Sequence, residues 1–219
     1  MGYIESTMTQ PDTIATDAEF EFSGGALCLD FSNTAGDVPR RAKEKLNGYD
    51  DLLRWAGQAG ILDETNGRAL ERLAASREDA ASRTFHHAIE LREAIYRTFS
   101  AVAAGAGPEA AGLAALNAAL VEALPHLRVE SGEGGYDWTW SGTESSLDGP
   151  LWPIARSAAE LLTSAEAALV RECASETCSW MFVDRSRTHR RRWCDMKTCG
   201  NRAKARRHYE RAKLKQSPG

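Results

Sequence analysis

Four cysteines near one end of the sequence restrict what this chain can fold into. Cys173 and Cys178 are separated by four residues, fifteen residues follow, and Cys194 and Cys199 repeat the same spacing. Two pairs at matched spacing are typical of a site in which two tight turns present four sulfur atoms to one ion, and Zn²⁺ prefers four such ligands in a tetrahedron. Cys28 stands far from this cluster. The spacing therefore predicts a zinc site.

Other interpretations of the cluster stay open at this point. Reduced core thiols, an iron–sulfur site or a redox role would also use clustered cysteines, and His189 could replace one ligand, although it is more simply an exposed loop residue. Four thiolates would fill the coordination sphere of zinc and leave no position at which a water could be activated. We therefore expect a structural metal and no enzyme activity. The sequence also contains no nucleophile–base arrangement, phosphate-binding glycine loop or His-x-x-x-His pattern.

The charge of the chain is divided between two parts. Residues 171–219 contain 14 Lys and Arg against 5 Asp and Glu, a net charge of +9, whereas the whole chain carries −4 and residues 1–170 therefore carry −13. A basic segment on an acidic body favours contact with nucleic-acid phosphates. The alternative is a solvated charged helix that binds no nucleic acid.

The acidic part has the pattern of a helix-rich domain. Apolar residues at helical spacing predict helices over residues 79–104, 109–124 and 150–169, and Asn47 and Asp63 are expected to cap two earlier helices. Residues 127–130 and 136–140, separated by a glycine-rich turn, predict a β-hairpin. The apolar run over residues 24–31 predicts a buried strand that contains Cys28 as a small hydrophobic residue.

Arg92 has an unusual position, because it falls within the apolar stripe of the longest helix. A buried arginine requires a carboxylate, a carbonyl or a ligand anion. We expect either a structural ion pair with Asp30 or an arginine side chain that extends to the surface. The alternative is a pocket for a small-molecule ligand lined by Asp30, Asn33 and Arg92.

Residues at both ends of the chain resemble one known family. Residues 193–202 read WCDMKTCGNR and are preceded in the chain by the pattern Trp180-x-Phe182-x-Asp184. This region is similar to the CGNR zinc finger, whose name corresponds here to residues 199–202. Residues 25–34, GALCLDFSNT, resemble the N-terminal ABATE domain of the same family. The resemblance covers most of residues 20–215. It implies a stress-induced bacterial transcription regulator with DNA binding through the finger and sensing through the body.

These observations together predict an α+β protein. Residues 1–18 are expected to be a disordered leader, and residues 19–168 an ABATE-like, helix-rich domain with a small antiparallel sheet. Residues 169–215 are expected to form a treble-clef-like zinc finger with a basic C-terminal helix, and residues 216–219 a disordered tail. No stretch approaches about 18 apolar residues and no secretory signal opens the sequence, so a cytoplasmic protein is expected.

The functional expectation is a transcription regulator that binds DNA and Zn²⁺, with homodimer formation and a ligand-sensing N-terminal domain as further expectations. Ala205, His208, Tyr209 and Ala212 form a strip by which the last helix would pack on the finger. The alternatives are an RNA-binding accessory factor and an adaptor that docks an acidic protein partner. The expected nucleic-acid-binding residues are Arg190, Arg191, Arg192, Asn201, Arg202, Lys204, Arg206, Arg207 and Arg211.

Overall fold

The computed structural model describes residues 20–36, 43–132 and 134–216. The expected leader and residues 217–219 of the expected tail lie outside the described residues. Within those ranges, helices dominate, no helix is long and apolar enough to cross a membrane, and three antiparallel strand pairs (β1–β2, β3–β4 and β5–β6) form separate two-stranded sheets. The helices are α1 Leu27–Ser32, α2 Tyr49–Gln58, α3 Glu64–Ser76, α4 Glu78–Ala103, α5 Ala110–Ala123, α6 Leu151–Thr163 and α7 Asn201–Gln216. The strands are β1 Ala35–Gly36, β2 Lys43–Glu44, β3 Leu127–Gly132, β4 Gly135–Trp140, β5 Val170–Glu172 and β6 Met181–Val183.

This architecture confirms the predicted helix-rich α+β class with small antiparallel sheets. The long helix α4, the helix α5 and the β3–β4 hairpin lie where the periodicity placed them. The predicted helix over residues 150–169 is shorter, because α6 ends at Thr163 and residues 165–169 form a 3₁₀ turn. The treble-clef arrangement of the finger stays a prediction.

The apolar run over residues 24–31 is not a strand, and that prediction was wrong. From Leu27 onward the run forms α1, which contacts α4 and α6. Cys28, Leu29 and Phe31 are fully buried. A short apolar run that is buried on all sides has no polar face, so its sequence shows neither the strand period nor the helix period.

The predicted caps had different outcomes. Asp63 caps α3 by accepting a hydrogen bond from the Asn66 amide at 2.8 Å, which confirms that prediction. Asn47 does not cap α2, because the capping position is taken by Gly48. The Asn47 amide instead donates to Asp51 at 2.7 Å, in the first turn of α2.

Strand β6 belongs to two cores at once. Met181 and Val183 lie in the main hydrophobic core with the helices, whereas Phe182 between them is fully buried in the cluster of the four paired cysteines. This alternation follows from the period of two along a strand. The finger is therefore joined to the helical domain through a shared strand.

Hydrogen bonds from the α1 region complete that junction. The side-chain amide of Asn33 donates to the Met181 carbonyl and its oxygen accepts from the Met181 amide, both at 2.9 Å, so the side chain pairs with β6 as a neighbouring strand would. The Val183 amide donates to the Gly24 carbonyl at 2.8 Å. Asn33 is 2% exposed, so water cannot replace these bonds.

We predict that Asn33→Ala lowers the free energy of unfolding by about 2–4 kcal/mol, because a buried donor and a buried acceptor of Met181 lose their partners. The matched variant Asn66→Ala removes a side-chain hydrogen bond at the surface of α3, and should cost less than about 1 kcal/mol. Urea unfolding of both zinc-loaded variants measures the difference. Equal losses would contradict a structural role for Asn33.

Candidate metal centre and basic surface

The four paired cysteines converge on one buried point. Cys173 and Cys178 lie between β5 and β6, Cys194 lies in the following loop, and Cys199 lies in the π-helical turn Met196–Gly200 that leads into α7. All four side chains are buried and their sulfur atoms lie within 4.8 Å of one another. The four cysteines therefore bring the β5–β6 loop and the turn before α7 together at one centre.

The sulfur positions fit zinc. A tetrahedron with Zn–S bonds of about 2.3 Å places its sulfur atoms about 3.8 Å apart, whereas a disulfide requires about 2.05 Å. The Sγ atoms of Cys178 and Cys194 are 3.8 Å apart and those of Cys194 and Cys199 are 3.7 Å apart. This donor set is that of a structural zinc site, as the spacing predicted. His189 is exposed and takes no part in the cluster.

Backbone hydrogen bonds fix the two cysteine pairs relative to each other. The Cys173 amide donates to the Trp180 carbonyl at 2.8 Å and extends the β5–β6 ladder. The Ala174 amide donates to the Arg192 carbonyl at 2.8 Å, which ties the first pair to the segment that carries the second. The Cys194 amide lies 3.5 Å from the Cys173 sulfur, in position to donate to a thiolate. The loops therefore hold the sulfur atoms close together.

The ionisation of the cluster shows why it needs a cation. Hydrogen bonds from Cys178 and Cys194 lower the pKa of Cys173 to about 2. The same contacts with Cys173 raise the pKa of Cys178 to about 12 and raise the pKa of Cys194 as well. One thiolate thus suppresses the ionisation of its neighbours. A bound Zn²⁺ would supply the positive charge that four thiolates in this space require.

Asp184 is a structural residue of the site to which sequence reasoning gave no role. Its carboxylate is fully buried at the end of β6 and accepts hydrogen bonds from the Ser186 amide and hydroxyl at 3.0 and 2.6 Å and from the Arg191 amide at 2.8 Å. Burial raises the pKa of this carboxyl, but these hydrogen bonds outweigh it and hold the pKa below its ordinary value. The ionised side chain therefore organises the loop over residues 185–191. The sequence signal that could have pointed to Asp184 is the Trp-x-Phe-x-Asp pattern that it ends.

The guanidinium of Arg191, one of the residues expected to contact nucleic acid, packs against the segment that carries the second cysteine pair. Its guanidinium lies over the Phe182 ring at 4.4 Å, its Nε donates to the Trp193 carbonyl at 2.9 Å, and its Nη2 donates to the Cys194 carbonyl. Its donors thus stabilise the second cysteine pair. Arg190 is exposed, and Arg192 is exposed beside the Trp193 ring at 5.1 Å.

Two expected DNA-contacting residues of α7 face the β5–β6 loop. Arg202 donates to the Thr177 hydroxyl at 2.8 Å and Arg206 forms an ion pair with Glu176. With Arg192 and Arg207 they line a cleft of about 220 Å³ between that loop and α7. These contacts hold the start of α7 on the finger.

Lys204, Arg207 and Arg211, which we call the outer stripe, lie on the side of α7 away from Arg202 and Arg206. Arg207 is at the edge of this stripe, where it also lines the cleft. At about 100° per residue these three positions lie within about 60° of one another on the helix. All three are exposed, and the Arg207 Nε donates to the Ala203 carbonyl one turn earlier in the same helix. The stripe therefore presents positive charge to solvent.

Asn201, also expected to contact nucleic acid, begins α7. Its side-chain amide donates to the Lys197 carbonyl at 2.9 Å, within the turn that contains Cys199. This contact supports the turn at the metal centre. The side chain is nevertheless exposed.

The predicted packing strip of α7 was wrong. Tyr209 is 69% exposed, Ala205 and His208 are also exposed, and the side chain of Ala212 lies outside the described residues. The helix is anchored at its first turns by polar contacts to the β5–β6 loop. The strip holds too little apolar surface for burial to fix the helix.

The expected Asp30–Arg92 pair was also wrong. Arg92 is 3% exposed and forms two hydrogen bonds of 2.7 Å with the Glu44 carboxylate, and its Nη1 also donates to the Thr34 hydroxyl at 3.2 Å. Asp30 lies on a helix instead of a strand, and its carboxylate accepts from the Gly24 amide at 2.7 Å. Burial of Glu44 raises its pKa, but the hydrogen bonds from Arg92 outweigh it and lower the pKa.

The structure therefore supports the structural interpretation of the three expected ligand residues. Arg92 is paired with a carboxylate, Asp30 with a backbone amide, and Asn33 with β6. Each of these three polar side chains has a hydrogen-bond partner among the described residues. The ligand pocket stays a prediction.

Comparison with known families gives two matches. Residues 25–165 are similar to the ABATE family model, described as "Putative stress-induced transcription regulator". Residues 170–212 are similar to the model of the CGNR zinc finger. The comparison with curated proteins gives no match.

We predict that the purified chain holds one zinc ion and that Cys194→Ser abolishes its tight binding, because one of four ligands is lost. The matched variant Cys28→Ser changes a buried thiol outside the cluster and should keep the metal. Metal analysis after gel filtration gives the count, and the absorption of the cobalt-substituted protein reports the sulfur ligands. Retention of one tightly bound zinc ion by Cys194→Ser would exclude this ligand set.

The carboxyl group of Asp30 makes the stability of the fold depend on pH. Burial raises its pKa to about 6. The folded state therefore binds this proton more tightly than the unfolded state. The stability that this proton gives the folded state is fully present below about pH 4 and is lost as the pH rises through about 6. Asp30→Asn cannot ionise, so its stability relative to the wild type should increase by about 1 kcal/mol between pH 5 and pH 7.5.

Urea unfolding at both pH values measures the effect of Asp30→Asn. Asp79→Asn changes an exposed carboxylate on α4 and serves as the control. A stability difference that does not change between the two pH values would show that Asp30 ionises normally in the folded chain.

Proposed function

The chain belongs to the ABATE family with a CGNR zinc finger, and on this premise we propose that it regulates transcription by binding duplex DNA through the outer stripe of α7. The observation that carries the proposal is that three exposed cationic side chains share one face of a helix whose start is fixed by a metal centre. A helix of this kind fits the major groove, which is about 12 Å wide.

The dimensions of the stripe suit that role. Lys204 and Arg211 are seven residues apart, or about 10.5 Å along the helix axis at about 1.5 Å per residue. Lysine and arginine side chains contact phosphates, and arginine also pairs with guanine in the major groove. Arg190 and Arg192, which are exposed in the preceding loop, add positive charge beside the same finger.

The charge distribution favours one orientation on DNA. Residues 1–170 carry a net charge of −13 and residues 171–219 carry +9. The acidic body is repelled by the phosphates, whereas the finger is attracted to them, so the long-range field turns the finger toward the duplex. Binding through the body is thereby disfavoured.

Two other functions make different use of the same surface. An RNA-binding accessory factor would place the cationic helix against RNA, and an adaptor would dock it on an acidic protein. The straight stripe on one helical face favours a regular groove, and we therefore place DNA first. Binding to DNA and RNA duplexes of equal length separates the regulator, the accessory factor and the adaptor.

We predict that the zinc-loaded chain binds a 20-base-pair duplex with a log–log salt slope of about −4 to −6, which corresponds to about five to seven neutralised phosphates. Lys204→Ala, Arg207→Ala and Arg211→Ala combined should weaken binding at least about 30-fold at low salt and reduce the slope by about 3. Fluorescence anisotropy over a salt series measures both quantities.

The control removes the same charge from the body, by Arg72→Ala, Arg77→Ala and Arg83→Ala combined, at three exposed positions on α3 and α4 and the junction between them. It should change the affinity less than about threefold. An equal loss in both triple variants, or salt-insensitive binding, would overturn the proposal. Preference for an RNA duplex of equal length would favour the accessory factor, and no nucleic-acid binding would favour the adaptor.

A further inference from the structure

The β3–β4 hairpin presents a strand edge and an apolar face to solvent. Residues 128–132 of β3 are all exposed. Val129, Tyr136 and Trp138 are 57%, 80% and 58% exposed, respectively. In an antiparallel pair these three side chains, with those of Leu127 and Trp140, lie on one face of the hairpin. An open edge beside an exposed apolar face is a site for pairing with another strand.

The hydrogen-bond pattern identifies which backbone groups of β3 point away from β4. The Ser141 amide donates to the His126 carbonyl at 2.9 Å, so residues 126 and 141 form a hydrogen-bonded pair. Bonded and non-bonded pairs alternate in an antiparallel ladder. The residues 128 and 130 therefore bond to β4, whereas the backbone groups of residues 127, 129 and 131 point outward.

The side chain of Arg128 agrees with this assignment. Its Nη1 donates to the Leu127 carbonyl at 2.8 Å and to the Pro125 carbonyl at 2.6 Å. The Leu127 carbonyl is thus covered by a flexible, exposed side chain instead of by β4. Such a cover can be displaced by a strand that offers a backbone donor.

The edge of β3 is complementary to itself. When two copies pair antiparallel with Val129 at the twofold axis, Val129 faces the partner's Val129 and residue 127 faces residue 131. All three outward positions then form bonded pairs. Arg128 faces Glu130 of the partner subunit in a non-bonded pair, where side chains come closest. Opposite charges at directly facing positions stabilise a sheet.

We propose that the chain forms a twofold dimer in which β3 pairs with β3 of a second copy to make a four-stranded sheet. The pairing places the exposed apolar faces of both hairpins side by side, so that they form one continuous face. It is isologous, because the same residues contribute from each subunit. The proposal is independent of the DNA-binding proposal, since it uses none of the residues of the outer stripe.

Strand β4 does not offer the same match. Pairing about Trp138 would place Asp137 opposite Thr139 of the partner subunit, with no charge to complement the carboxylate. Thr139 and Trp140 are also half-buried, whereas β3 is exposed from residue 128 onward. Charge complementarity and access therefore both select β3.

Sedimentation of the full zinc-loaded chain tests the dimer by charge reversal. Arg128→Glu places two carboxylates opposite each other at both pairs, and Glu130→Arg places two guanidinium groups there, so each variant should raise the dimer dissociation constant at least tenfold. The combined Arg128→Glu and Glu130→Arg variant restores opposite charges and should return the constant to within threefold of the wild type. Glu144→Arg, at an exposed position in the turn after β4, serves as the control.

Val129→Pro tests the backbone pairing separately. It removes an outward amide that β4 does not use, so the hairpin should keep its own hydrogen bonds while the dimer weakens. Circular dichroism and the zinc content report whether each variant is folded. A wild-type chain that is monomeric at 100 µM, dimers insensitive to both single reversals, or failure of the double reversal to restore dimers would overturn the proposal.

Discussion

The closure of four sulfur atoms on one centre is the constraint on which the finger depends. Besides the cysteines, the only fully buried apolar side chain of this cluster within the described residues is Phe182, and Trp180 and Trp193 are partly buried against it. Strands β5 and β6 have three residues each. Such a small apolar cluster cannot offset the conformational entropy of ordering the segment, whereas structural zinc contributes about 10–16 kcal/mol in small finger domains. Metal binding therefore replaces a hydrophobic core.

Two sets of contacts connect the metal centre to the rest of the chain. Toward the body, β6 places Met181 and Val183 in the helical core and is paired by the Asn33 side chain, so the finger has a fixed attachment. Toward solvent, Asp184 and Arg191 hold the basic loop against the cluster. The position of the cationic groups is thus set by contacts that begin at the four sulfur atoms.

Sequence alone was sufficient where one physical rule dominates. Four clustered cysteines match the four ligands that zinc prefers, a 26-residue helix shows its period over many turns, and Asp63 before α3 forms a cap. The partner of Arg92 was not predictable, because Glu44 lies 48 residues away in a strand of only two residues. Composition also could not show that Arg191 contacts the metal centre while Arg190 and Arg192 are exposed. An arginine that stabilises a metal site and one that faces solvent contribute equally to a net charge.

The DNA-binding surface that we propose on α7 depends on metal binding. Titration of zinc into the metal-free chain, followed by binding to a fluorescent duplex at fixed low salt, tests that claim directly. We expect the DNA affinity to rise with added zinc and to reach its plateau at one zinc per chain. Equal affinity of the metal-free and zinc-loaded chains, or no binding by the zinc-loaded chain, would contradict it.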